Sequence, residues 1–132
     1  MVEFALLTPL LIFFVFVTIT FAVIGQAELA VSQLAYSAAR YASVNPALSA
    51  SAIESYIKAG NLGSPTITAD GGALLTVDVQ QASSFGEPVT VTISYDLSSN
   101  VLVSSMTTLF ASLGMPVTFP TSVTATETAM SE

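Results

Sequence analysis

The chemistry open to this chain is set by a short roster of ionisable side chains: nine carboxylates, two cations, no His and no Cys in 132 residues. A general base poised near neutrality is usually His. Thiol nucleophiles, disulfides and nearly all zinc sites need Cys or His. Enzymatic activity is therefore not expected. Asp70, Asp78, Glu87 and Asp96 are possible oxygen ligands for Ca²⁺, which takes about six to eight of them. Asp70-Gly71-Gly72 is more simply a turn, so neither a metal ion nor a cofactor is expected. A chain of aromatic rings for electron transfer is a further possibility, but most of the Phe residues fall in one apolar run, where they are ordinary filler. One acid remains unexplained. Glu3 stands at the head of that run, and a carboxylate held in hydrocarbon costs several kcal/mol, so an acid there has a function by default.

The run that follows Glu3 sets the organisation of the chain. From residue 4 to residue 25 nothing is ionised, and a helix of that length is roughly 33 Å long, enough to cross a bilayer core. A cleavable signal peptide would need a basic start and a shorter apolar stretch, and no Lys or Arg precedes Arg40. A plain anchor would carry basic residues on its cytoplasmic flank. Their absence reads as a chain whose basic leader has been removed, or as a fragment that begins downstream of one. Pro9 cannot donate to the carbonyl of Ala5, so a kinked or weakened helix is expected there. Like Glu3, that defect needs a partner in lipid. A neighbouring chain's amino terminus, Met1, would supply a cation for Glu3.

Charged residues make up 8% of the chain and the net charge is −7, against about 25% charged residues in an ordinary domain. Two cations are too few to neutralise nucleic-acid phosphates or to dock on anionic headgroups. Ser and Thr must supply much of the surface that faces water, an exterior suited to an extracellular polymer. No Asn begins an N-glycosylation sequon.

The helix is expected to continue through residues 26–44, which lack Pro and Gly. Ala27, Ala30, Val31, Leu34, Ala38 and Tyr41 recur at three- and four-residue spacing as one apolar stripe. Its small residues would let another backbone approach closely, so Ala27, Ala30, Leu34, Ala38 and Tyr41 are candidates for helix–helix packing. Asn45-Pro46 stops the helix. A short helix over residues 49–59, capped by Ser49 or Ser51, ends at Gly60-Asn61. Period-two patterning then predicts strands at residues 66–68, 73–79 and 89–95, the first two flanking the Asp70-Gly71-Gly72 turn. Residues 100–113 read as a helix with Ser98 or Ser99 near its start, and residues 117–129 as a last strand. The expected fold is α+β. A hydrophobic membrane or filament-core helix (residues 1–25) continues as an amphipathic helix (26–45) into a globular head (46–132), whose three- or four-stranded antiparallel sheet packs on the extra-membrane part of the long helix.

VEFALLTPLL at residues 2–11, the apolar helix after it and AARYASVNP at residues 38–46 resemble the TadE-like pilins of the tight-adherence (type IVb, Flp-related) systems. VTVTISYDL at residues 89–97 and VTFPTSVTATETAMSE at residues 117–132 are similar to strand segments of those proteins. The resemblance implies a prepilin whose basic leader a prepilin peptidase removes, exposing a hydrophobic helix with an early Glu. It implies that Glu3 is that acid, used for processing or for pairing with a neighbour's amino terminus, although in processed pilins the acid commonly falls fifth. The function then expected is that of a structural subunit of an extracellular type IV pilus-like filament with a role in surface attachment. It would be stored in the membrane, handled by the assembly machinery and polymerised with copies of itself through Phe4, Leu7, Leu10, Leu11, Phe14, Val17 and Phe21. Two alternatives stand beside it: a minor pseudopilin acting in pilus assembly, and a monomeric anchored module that binds an extracellular ligand.

Overall fold

The computed structural model describes residues 2–63 and 72–132, and within residues 2–6 the one side chain it describes is that of Phe4. Met1, the Glu3 side chain, the strand expected at residues 66–68, and Asp70 and Gly71 of the expected turn lie outside the described residues. The elements run α1 (Val2–Val44), α2 (Ala50–Lys58), β1 (Leu75–Gln80), β2 (Pro88–Asp96), α3 (Val101–Ser112) and β3 (Ser122–Met130). Helices and an antiparallel sheet in the order β1-β2-β3 make the fold α+β.

Helix α1 is one rod of 43 residues, roughly 65 Å long by the helical rise. It continues through Pro9 without a break. Beside the proline, the Thr8 hydroxyl donates to the Phe4 carbonyl at 2.8 Å, the kind of side-chain support that lets a helix carry proline where water is scarce. Thr18 and Thr20 likewise donate to the carbonyls of Phe14 and Phe16. The helix stops as expected at Asn45-Pro46. There the Asn45 side chain closes the last turn by donating to the Tyr41 carbonyl at 2.9 Å.

Helix α2 is capped by Ser49, whose hydroxyl accepts from the Ala52 N–H at 3.3 Å. It buries Ile53 and Ile57. Its Lys58–Glu54 pair, at 2.6 Å, is partly exposed and contributes little. Tyr56 stacks flat on Tyr41 of α1, with ring centroids 4.4 Å apart.

The sheet follows the period-two pattern. Leu75 and Val77 of β1, Val89, Val91 and Ile93 of β2, and Val123 of β3 are buried, with β2 and β3 packed on α1 and β1 on α2. In register, Ile93 stands between Val77 and Ala125. The outer face of β2 and β3 is a row of hydroxyl pairs, Thr90–Thr128, Thr92–Thr126 and Ser94–Thr124, at 3.0–3.3 Å. Opposed polar side chains of this kind stabilise a sheet without burying apolar surface.

Two boundaries differ from the expectation, and the first is that β1 begins at Leu75 and not at residue 73. The last strand begins at Ser122 and not at residue 117, because Pro116 and Pro120 have no N–H to give to a ladder. Helix α3 is capped by Asn100, whose side-chain oxygen accepts from Leu102 at 3.1 Å and Val103 at 3.5 Å.

Gly72 is tightly specified. Its φ is +71°, and a Cβ there would lie 2.8 Å from Cγ and 2.9 Å from Cβ of Lys58. Gly72→Ala should therefore lower the unfolding free energy by about 1–3 kcal/mol, measurable as a shifted denaturant midpoint. Gly25→Ala is the control, since nothing lies within 4 Å of a Cβ at that position.

Candidate membrane and assembly surface

The leading half of α1 carries large apolar side chains that the rest of the chain leaves uncovered. Phe4, Leu7, Leu10, Leu11, Phe14 and Phe21 are all exposed. The helix is long and apolar enough to cross a membrane, and only 11% of its most apolar window is buried within the chain. That small share separates it from the core helix of a water-soluble domain. An uncovered apolar face of this extent marks a surface that meets lipid or protein.

Val17 departs from the rest of this set. It packs with Phe13 against the chain's own core, because the head reaches down onto the leading half of α1. Thr20 and Ile24 are buried there. Phe110 of α3 meets Phe13 edge-on, with centroids 5.3 Å apart, and Phe119 meets Phe21 at 5.9 Å. Phe110 and Phe119 also touch, at 5.7 Å. A cleft of about 390 Å³ remains between the two helices, lined mainly by Pro9, Ile12, Phe13, Phe16, Met106 and Leu109. The head thus packs on α1 on both sides of residue 25.

The second candidate group lies further along α1. Ala27, Leu34 and Ala38 are buried, the last two completely, together with Ala35, Ala39 and Ala42. The elements packed on α1 are chiefly β2 and β3 of the same chain. The close backbone approach that small residues permit is thus taken by the chain's own sheet, which leaves Leu34 and Ala38 no surface for a neighbouring helix. Ala30 and Tyr41 are half-buried beside the same core.

Two of the remaining acids, Glu87 and Asp96, hold turns. Glu87 accepts from the N–H groups of Ser83 and Ser84 at 2.9 and 3.1 Å. Asp96 accepts from the Ser98 N–H at 2.7 Å, and that bond keeps its carboxyl below the usual carboxylate range. With the folded value below the unfolded one, its contribution is complete above the ordinary carboxylate pKa and fades as pH falls through the folded value. Asp78 is exposed on β1. Among the described residues no three potential metal ligands come together.

Met106, Leu109, Phe110 and Phe119 were not singled out from sequence, yet they carry the contact with the apolar run. The one signal that could have found them is the absence of charge from residue 97 to residue 126. The family model described as TadE-like protein matches residues 1–40. No curated protein and no solved structure matches the chain.

Proposed function

We propose that this chain, TadE-like over its first 40 residues, is a structural subunit of a type IV pilus-like (Tad/Flp-related) filament. It polymerises outside the cell through the leading half of α1 and serves surface attachment rather than catalysis. The observation that carries this reading is the set of large apolar side chains from Phe4 to Phe21 left exposed on a helix that begins a TadE-like chain. In the membrane these side chains face lipid. On extraction by the assembly machinery they pack against copies of themselves. Burying one such side chain away from water contributes about 1.5–3 kcal/mol, so several per subunit outweigh the cost of association. Contacts that repeat without closing into a ring give an open fibre.

Shearing the producing cells tests this. As a major subunit, the chain is the dominant protein of the released fibres. Finding it only in trace amounts there would mark it as a minor pseudopilin, and finding it only in the membrane would contradict assembly. Glu3→Leu should leave the amount of membrane-held subunit unchanged and reduce fibre yield by about tenfold or more, the loss expected when a paired charge in an apolar setting forfeits a few kcal/mol. Undiminished yield would remove Glu3 from the assembly contact.

A further inference from the structure

We infer that α3 and the loop after it, residues 101–119, lie in the hydrocarbon of the membrane beside α1 as a second element that does not span. The inference rests on the reading of α1 as the span.

Two contacts orient the head along α1. Phe119, just before β3, packs on Phe21, and beyond the end of β3 the Glu132 N–H donates to the Ser43 carbonyl at 3.1 Å. Strand β3 therefore runs in the same direction as α1. Strand β2 is antiparallel to it and ends at Asp96, opposite Ser122, at the end nearer Phe21. From there α3 carries the chain toward the amino end of α1, where Met106, Leu109 and Phe110 meet Pro9, Ile12, Phe13 and Phe16. Phe13 is near the middle of the uncharged run of residues 4–25. If that run crosses the bilayer, Phe110 shares its depth.

The chemistry of the segment fits that depth. Its nearest charged residues in sequence are Asp96 and Glu127. Ser104, Thr107, Thr108 and Ser112 each donate to a carbonyl one turn back in α3, at 2.7–3.2 Å. The Thr residues of α1 hide their hydroxyls in the same way. On the sheet face, by contrast, hydroxyls pair across strands and stay exposed. The loop is only partly paired. Gly114, Met115 and Val117 donate their N–H groups within the chain, and Pro116 and Pro120 have none. The N–H groups of Thr118 and Phe119 are left for water or headgroups, at the end of the segment that lies beside Phe21, near the close of the uncharged run. Leu109, Leu113, Met115 and Val117 meanwhile remain exposed and continue the apolar surface of α1.

Because the chain has no Cys, a nitroxide can be placed on single thiols in the full-length protein. The variants are Leu113→Cys, Met115→Cys, Phe14→Cys for the span and Phe85→Cys for the head. Each is reconstituted in vesicles of phosphatidylcholine and phosphatidylglycerol. Power saturation then compares collisions with oxygen, which enters hydrocarbon, and with a neutral chelated nickel ion, which stays in water. The expected oxygen-to-nickel ratio at positions 113 and 115 matches that at 14 and exceeds that at 85 by about tenfold or more, given the several kcal/mol that exclude a polar solute from an apolar phase. A water-like ratio at both 113 and 115 with a lipid-like ratio at 14 would overturn the inference and leave the span intact. Low access of both reagents at 113 and 115 would assign the surface to a second copy of the chain, which also overturns it. A water-like ratio at position 14 would instead defeat the reading of α1 on which the inference rests.

Discussion

Phe14→Asp is expected to weaken membrane insertion of the full chain sharply while leaving the head folded. The Phe14 side chain is 61% exposed and sits near the middle of the uncharged run. It points away from the head, so the head loses little when it is replaced. A charge at the centre of a spanning helix costs about 2.5–3.5 kcal/mol on insertion scales, which amounts to roughly a hundredfold fall in the equilibrium constant for insertion. Alkaline extraction of membranes reads the inserted fraction, and far-ultraviolet circular dichroism of the solubilised protein checks the fold. Wild-type retention of the Phe14→Asp chain after extraction would contradict a lipid-facing role for this side of α1.

The second large effect belongs to the head. Ile93→Ala removes a side chain that is 0% exposed, on the central strand, between Val77 and Ala125 and beneath α1. Large-to-small changes at such sites cost about 2–5 kcal/mol, a sizeable part of the roughly 5–15 kcal/mol that holds a domain folded. Thr92→Ala, one residue away on the opposite face, loses a hydroxyl contact to Thr126 at 3.0 Å and should cost about 1 kcal/mol or less. Denaturant titration in mild detergent compares the two. Equal effects would mean that the sheet does not present β2 residues alternately to α1 and to water.

Much of this architecture was legible because local rules and tertiary packing agree. The apolar run, the stop at Asn45-Pro46, the Ser49 cap and the alternation through Val89, Val91 and Ile93 each needed only neighbouring residues to specify them. The errors arose where the decisive partner is distant in sequence. The Ala27–Ala38 stripe looks the same whether a helix or a sheet lies on it. The α+β reading puts the sheet on this part of the helix, and β2 and β3 do lie there. What the stripe alone does not reveal is that the sheet takes the positions expected to serve helix–helix packing. Val17 reads as one more outward residue of an evenly apolar helix, and nothing nearby announces that α3, more than eighty residues later in the chain, comes back to cover that side. The start of β3 at Ser122 followed from a local cause, the two prolines before it, which the alternation of Val and Thr obscured. For the candidate surface, composition revealed that α1 must be covered. Which face meets the head and which stays open needed the coordinates.

The most direct measurement is the reactivity of a single thiol, Phe14→Cys, in fibres sheared from cells that make only this variant. A water-soluble maleimide should fail to label it in the intact fibre and should label it once detergent disperses the subunits. A Phe85→Cys thiol, at a head position 86% exposed, should react in both states. Equal labelling of position 14 before and after dispersal would contradict burial of the leading helix among copies of itself, and with it assembly through α1.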